Sequence, residues 1–482
     1  MSDAPGLSDI CGAHNKEKGS ISSKHMQETR FKEGFVWGAA TASYQIEGAV
    51  NEGGRKPSVW DALCQRKGAI YQGHSGAVAC DHYHRVKEDV ALMKEIGLNA
   101  YRFSFSWSRV IPNGTGSVNP EGISFYDKLI DELLVAGITP YPTIFHWDYP
   151  QELYLRGGWL NRDSVDWFGE YTQVLAERFS DRVQNWFTHN EPPCFLGLGH
   201  VIGAHAPGLK LDWPDFYVAT KHALMAHGRA VQVLRSHGKQ PLRIGYVPIS
   251  HIGIPADESP EAVAAASEYT FGTQTEDRAF WYARLYLDPV LKGEWPSETV
   301  EVLTKNGPSV SQSDLNEMHQ PIDFLGLNFY NAPYVNQGPD GKPQVVAYAD
   351  GFPRTGFDWP VTPEGLYWSI RFHHERYGLP MMITENGLSN LDWVGVDGQV
   401  HDPQRIDFTT RYLRSLHRAH AEGYPVDGYF HWSLMDNFEW AEGYKHRFGM
   451  IHVDFETQKR TPKDSARWYR NVIESNGACI AA

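Results

Sequence analysis

The chain has 482 residues, 41% hydrophobic and 21% charged, the composition of an ordinary soluble globular protein with enough apolar material for a large core. A net charge of −14 and a pI near 5.9 argue against a nucleic-acid partner or an anionic membrane surface, both of which reward basic patches, and favour a neutral small molecule. Five scattered cysteines without a CxxC spacing indicate neither a disulfide framework nor a zinc site, and they suit a reducing compartment.

Residues 1–30 are polar and rich in Ser, Gly and Lys, with no apolar period that could pack, and read as a flexible N-terminal tail. They lack the layout of a signal peptide, and no stretch approaches the roughly 20 apolar residues that cross a bilayer, so cytoplasmic residence is expected. From Phe31 onward there is no linker or compositional break. One domain over 31–475 is expected, followed by a short C-terminal tail at 476–482.

Within that domain, apolar or β-branched runs recur at 35–43, 99–107, 138–147, 183–191, 242–250, 322–330, 380–387 and 426–434. Between them lie stretches with helical periodicity, at 85–97, 122–137, 164–180, 216–237 and 405–423. In the first two, Val90, Met93 and Ile96 or Leu129, Leu133 and Leu134 mark the apolar stripe. Runs that read as continuously buried strands, alternating with helices, predict an α/β fold: a single (β/α)8 TIM barrel with loop insertions at its C-terminal face.

Active sites of such barrels lie at the C-terminal strand ends. The residues there are Gln45, Arg102, His146 and Trp147, Asn190 and Glu191, Asn328 and Tyr330, Glu385 and Asn386, and Trp432. Two are glutamates on opposite sides of the barrel axis. A lone strand-end glutamate is at least as often a solvated or ion-paired residue, but two in one mouth fit the paired carboxylates of glycoside hydrolysis. Gln45 read alone could cap a turn, His146 could be a satisfied core histidine and Trp432 could be packing; their shared position makes a binding role the better reading. The histidines of "DHYH" (81–84) and "FHHERYG" (372–378) read as helix faces or ends, since nothing nearby completes a metal site. No dinucleotide fingerprint or P-loop is present, so neither metal nor organic cofactor is expected.

The stretches "FVWGAATASYQIEGA", "YRFSFSWSRV", "FHWDYPQEL", "HNEP", "LGLNFY", "ITENG", "HWSLMDNFEWAEGY" and "RFGMIHVDFETQKRTPKDSARWY" run in order along nearly the whole chain after the tail. Together they resemble the signatures of glycoside hydrolase family 1, the β-glucosidase family, in its fungal, intracellular type. The resemblance implies a retaining exo-glycosidase with Glu385 as nucleophile and Glu191 as acid/base, which requires carboxyl groups roughly 5–5.5 Å apart. It implies support of catalysis by Arg102, Asn190, Asn328 and Tyr330, the first and last holding Glu385 ionised. It places Gln45, His146, Asn190, Glu439 and Trp440 on sugar hydroxyls, Asn190 at the 2-OH, with Trp432 as the stacking floor. Trp147, Trp159, Cys194, Phe195 and Tyr334 are candidates for the aglycone side.

By the same resemblance Glu439 argues against 6-phosphorylated sugars, since a carboxylate there repels phosphate. The expected substrates are free β-D-glucosides such as cellobiose, short cello-oligosaccharides and aryl or alkyl glucosides, with β-D-galactosides or β-D-fucosides tolerated and transglycosylation to alcohols. A galactosidase-like specificity, or a non-catalytic sugar-binding protein on the same scaffold, is the alternative; the presence of both glutamates speaks against the second. One departure from the family pattern is His189, where an apolar or aromatic residue is commoner. It reads as a neutral core histidine or as a perturbation of Glu191.

Overall fold

A computed structural model describes residues 30–249, 251–272, 276–304 and 307–481. The expected tail at 1–30 therefore lies outside the described residues except for Arg30.

The eight apolar runs are the staves of one closed barrel. They are β1 (Val36–Ala40), β2 (Ala100–Ser104), β3 (Thr139–Phe145), β4 (Asn185–Asn190), β5 (Arg243–Val247), β6 (Phe324–Asn328), β7 (Met381–Asn386) and β8 (Val426–Trp432). Each pairs in parallel with its neighbours in chain order, and β8 closes on β1. The strands are nearly all buried because one face fills the barrel and the other meets the helices, which is why their sequences run apolar without clear alternation.

All five helical stretches are helices, His82–Ile96, Pro120–Val135, Ser164–Phe179, Trp213–His237 and Pro403–Ala421. Local chemistry sets their ends. Asn119 accepts from the Glu121 N–H with Pro120 at the first helical position, and Gly97 stops the first helix at φ +84°. Val90, Met93, Ile96, Leu129 and Leu133 are buried as expected, whereas Leu134 is 40% exposed, being about 100° around the helix from Leu133. Two more helices, Glu364–Tyr377 and Asp464–Glu474, complete the outer layer after β6 and β8, and the connection from β5 to β6 carries several short helices. The segment 372–378 forms the end of the first of these and its cap, with His373 Nδ1 donating to the Ser369 carbonyl at 2.7 Å as a core residue. Among the described residues no group of three or more His, Cys, Asp and Glu side chains could hold a metal ion, and no helix is long and apolar enough to cross a membrane.

The segment expected to be a C-terminal tail packs against the barrel over its described residues. Asn476 donates to the Phe31 carbonyl at 2.7 Å and accepts from the Trp37 indole at 3.0 Å, and Ile480 is buried. These contacts close the bottom of the barrel on β1.

Register places the polar strand ends in one layer. Arg102 lies beside Ala40 and Tyr141, Ala40 beside Trp432, and Asn328 beside Glu385. The pairing of β4 with β5 shifts between Phe187 and Asn190, and that of β7 with β6 shifts between Ile383 and Glu385. Bulges of this kind re-aim side chains next to functional sites, and here each immediately precedes a strand-end glutamate. At β4 the result is that Thr188 and His189 both face the helices: the Thr188 hydroxyl is 2.7 Å from His227 Nδ1, and His189 Nε2 donates to the Ala223 carbonyl at 2.9 Å. Asn190 is thereby turned to the barrel mouth.

His189 sits against Phe145, Trp159, Phe168 and Phe195, and this burial pushes its pKa down to about 4. It is a neutral core histidine. His189→Leu should therefore leave the pH–rate profile between pH 5 and 9 in place while lowering stability by about 0.5–1.5 kcal/mol, because the hydrogen bond to the Ala223 carbonyl is lost; chemical denaturation and kinetics on the same variant check both halves. Gly387 follows directly after β7. Its φ is not positive, but a Cβ there would stand 1.8 Å from the Trp432 carbonyl oxygen. Gly387→Ala should cost about 1–3 kcal/mol through overpacking, read as a fall in Tm, and should disturb the neighbouring Trp432.

Candidate active site

Glu385 projects from the end of β7 and is 3% exposed. Its Oε1 accepts from Arg102 Nη1 at 2.7 Å, and its Oε2 accepts from the Tyr330 hydroxyl at 2.7 Å. Arg102, wholly buried on β2, also donates to the Thr384 carbonyl at 3.2 Å and, through Nη2, to Asn190 Oδ1 at 2.6 Å. Glu191 follows β4 with φ +47°, in the left-handed region that non-glycine residues seldom occupy, held there by its N–H bond to the Val247 carbonyl at 2.8 Å. Its Oε1 accepts from Asn328 Nδ2 at 2.9 Å, and the Cys194 thiol donates to its Oε2 at 3.3 Å. The Asn328 amide also donates to Asn190 Oδ1 at 3.0 Å and accepts from the Thr384 hydroxyl at 2.7 Å.

Burial raises the pKa of both carboxyls. Glu191 is pushed up to about 8, first by desolvation and then by the negative charge of Glu385, with Asn328, Cys194 and Arg102 opposing. Glu385 is also raised by burial, so the expectation that Arg102 and Tyr330 hold it down needs correction: both contacts lower it, but desolvation outweighs them. Two buried carboxylates in one site titrate as a pair. The direct ion pair and the tyrosine hydroxyl place the charge on Glu385, and the shared proton rests on Glu191, which touches no cation.

Around this pair lies a cavity of about 280 Å³ whose lining includes Glu191, Glu385, His146, Tyr330, Trp432, Glu439 and Trp440. Gln45 is fully buried beside it; its Nε2 donates to Asn437 Oδ1 at 3.1 Å and to the Phe438 carbonyl at 2.9 Å, and is 3.5 Å from Glu439 Oε2. The Gln45 Oε1 acceptor has no partner among the described residues. Because Asn190 Oδ1 is occupied by Arg102, Asn190 Nδ2 is the group 3.1 Å from His146 Nε2 and must donate to it. His146, held neutral by burial and by Arg102, then carries its proton on Nδ1, which is likewise unpartnered. Its ring lies roughly parallel to those of Trp432 and Trp440, with centroids 6.0 and 5.9 Å away. Glu439 is pushed up to about 8 by burial and by the charges of Glu385 and Glu191. A buried acceptor, donor and carboxyl left open beside tryptophan faces suit a polyhydroxylated ring.

The residues expected on the aglycone side divide. Trp147 and Cys194 line the cavity. Trp159 and Phe195 do not; they pack behind the wall, 5.8 Å apart, against Phe145 and His189. Tyr334 donates to Glu364 at 3.0 Å and lines a separate surface cleft with Phe352 and Phe408. The outer cavity walls come instead from Trp281, Phe357, Trp359, Leu198 and Ile249, which the sequence reading missed. Leu198 lies in the helical segment Pro193–Ile202 and Ile249 bridges to Asn328 just past β5, whereas Trp281, Phe357 and Trp359 lie on insertions, where the one local signal is the aromatic pair of "GFDWP" (356–360) in a stretch otherwise rich in Gly, Asp and Pro.

The family profile for glycosyl hydrolase family 1 matches residues 27–478. Beta-glucosidase A of Thermotoga maritima is 44% identical over 94% of this chain and 99% of its own, and beta-glucosidase 26 of Oryza sativa is 37% identical over 92% and 91%. Among solved structures, the beta-glucosidase from Thermotoga maritima in complex with glucoimidazole superposes with a TM-score of 0.85 at 44% identity, covering 93% of this chain and all of that one. These relatives are bacterial and plant, so the fungal type expected from the sequence rests on resemblance alone. With the profile spanning the whole barrel, the chain belongs to glycosyl hydrolase family 1.

Proposed function

We infer that the chain is a retaining exo-β-glucosidase that removes terminal β-D-glucosyl residues by double displacement. The observation that carries this reading is the unequal partnering of two buried carboxyls in one cavity: Glu385 is paired with Arg102 and Tyr330, whereas Glu191 meets only an amide and a thiol. Asn328, whose amide donates to Glu191 Oε1 at 2.9 Å, lies beside Glu385 in the strand register, which supports the short separation of a retaining pair.

In the first step Glu191 gives its proton to the glycosidic oxygen while a Glu385 oxygen attacks the anomeric carbon, and the aglycone leaves as an alcohol. Bond formation removes the charge of Glu385. The repulsion that kept Glu191 protonated vanishes with it, so Glu191 can take a proton from the incoming water, whose oxygen displaces Glu385 from the sugar. Asn190, with Oδ1 fixed by Arg102 and one amide hydrogen given to His146, presents its other amide hydrogen toward the sugar's 2-OH. Gln45, His146, Glu439 and Trp440 receive the other hydroxyls, and Trp432 supports the ring face. A glycone pocket closed by these groups admits one terminal sugar and favours exo action, and Glu439 offers a phosphorylated one no positive charge to bind. Aryl and alkyl glucosides and cellobiose fit the aromatic outer walls, with Trp147, Trp281 and Trp359 against the aglycone. The described cysteines, Cys64, Cys80, Cys194 and Cys479, are all unpaired, which supports a reducing, cytoplasmic setting.

Treatment with 2-deoxy-2-fluoro-β-glucosyl fluoride should leave one glycosyl adduct, mapped by mass spectrometry of peptides to Glu385. An adduct elsewhere, or turnover surviving in Glu385→Gln, overturns the assignment of nucleophile. Glu191→Gln should lower kcat/KM for phenyl β-D-glucoside by roughly 10²–10⁴-fold and spare 2,4-dinitrophenyl β-D-glucoside, whose leaving group needs no proton. The wild-type profile follows from the same residue. Glu191 is an acid only below its raised pKa, so kcat/KM for phenyl β-D-glucoside should decline as pH rises through about 8, and a basic limb near the ordinary carboxyl range would contradict it.

A further inference from the structure

Both oxygens of Glu191 are occupied, and by groups of different kinds. The direction of each bond can be deduced. Arg102 can only donate, so Asn190 Oδ1 is an acceptor; Asn328 Nδ2, 3.0 Å from that oxygen, must therefore donate, and it is the same nitrogen that reaches Glu191 Oε1. The Thr384 hydroxyl on Asn328 Oδ1 agrees with this orientation. An oxygen that faces a donor-only amide is a poor place for a proton. The acidic proton of Glu191 accordingly sits on Oε2, the oxygen 3.3 Å from the Cys194 sulfur.

Cys194 is placed there by the chain itself. It lies in the wide helical turn Pro193–Ile202, its N–H donates to the Glu191 carbonyl at 2.9 Å, and it is 5% exposed on the cavity wall. A thiol differs from the amide opposite it, because its S–H is a weak donor and its sulfur a weak acceptor. It can face Oε2 in either protonation state. We propose that Cys194 is a positioning residue for the acid/base, its thiol fixing Glu191 Oε2 toward the glycosidic oxygen and stabilising the carboxylate that forms once the proton has been given up. This rests on the acid/base role of Glu191 given above. A redox or nucleophilic role does not suit the same sulfur: burial and the charges of Glu191 and Glu385 push the thiol well above its ordinary pKa, and it stays protonated.

The other groups that act on Glu191 come from every side of the mouth. They are Glu385 on β7, Arg102 on β2, Tyr330 after β6 and Glu439 after β8, with Glu442 and the neutral His205 also on the cavity wall. Substitution of Cys194 leaves all of them in place, so a change in the titration of Glu191 reports the thiol.

The test is the pH dependence of kcat/KM for phenyl β-D-glucoside in wild type, Cys194→Ala, Cys194→Val and Cys194→Ser. A hydrogen bond to the charged form lowers a carboxyl pKa, so its loss should raise that of Glu191 and move the basic limb to higher pH, by about 0.5 unit for a weak donor. The limb should move in both Ala and Val variants, which change the side-chain volume in different ways, and should return to the wild-type position in Cys194→Ser, which keeps a donor. With 2,4-dinitrophenyl β-D-glucoside no acid is needed and the limb should not follow. An unmoved limb in both Ala and Val variants overturns the proposal, as does a serine variant that shifts with them. Failure of the underlying reading looks different: Glu191→Gln would then keep its activity on phenyl β-D-glucoside, whatever Cys194 does.

Discussion

The site is organised by one buried cation. Arg102 has no exposed surface, and its two terminal nitrogens donate to Glu385, to the Thr384 carbonyl and to Asn190. A guanidinium cannot accept a hydrogen bond, so each contact dictates a direction to the next group. Asn190 must present its carbonyl oxygen to Arg102 and its amine to His146, and His146 must carry its proton on the far nitrogen. Asn328 must donate to Asn190 and thereby also to Glu191. Through two amides and an imidazole, the arginine sets the hydrogen-bond polarity of residues on β3, β4, β6 and β7. A lysine, with a single point charge, could pair with the carboxylate but could not fix this fork.

Such an arrangement is costly to build. Removing a cation and several carboxyls from water carries a desolvation penalty that their attraction only partly offsets, so a buried pair of this sort contributes more to function than to stability. The scaffold compensates by making the surroundings rigid. The strand ends are held in register on both sides, the bulges on β4 and β7 supply the turn that each glutamate needs, and Gly387 lets the chain leaving Glu385 lie against the Trp432 carbonyl.

Legibility in the sequence followed the same division between scaffold and loops. The eight strands could be read because burial on two faces leaves a continuous apolar run, and the residues at their ends could be named because a barrel sends all strand ends to one mouth. Glu191, Glu385, Arg102, Asn190, Asn328, His146 and Trp432 needed no further information to be grouped. The bulge at His189 was not legible, since it adds a residue to one face without any change in composition. Of the helix Glu364–Tyr377 only the end at 372–378 was legible, as a helical segment bearing histidines, and nothing in it marked His373 as a core residue. Least legible were the outer walls. Trp159, Phe195 and Tyr334 are as aromatic as Trp281, Phe357 and Trp359, and only the path of each insertion decides which ring reaches the cavity.

The same limit applies to the chemistry. Desolvation acts on Glu191, Glu385 and Glu439 in one direction, raising all three, so burial by itself assigns no roles. What separates them is contact at the level of single oxygens. Glu385 has a cation on one oxygen and a phenol on the other; Glu191 has an amide and a thiol; Glu439 has only the amide of Gln45 at 3.5 Å. The first can carry charge before the reaction begins, the second must wait until its neighbour's charge is gone, and the third keeps its hydrogen-bonding capacity for a ligand. A sequence names three carboxyls in one mouth, but the order in which they ionise is a property of their neighbours, and it is that order which makes a double displacement possible.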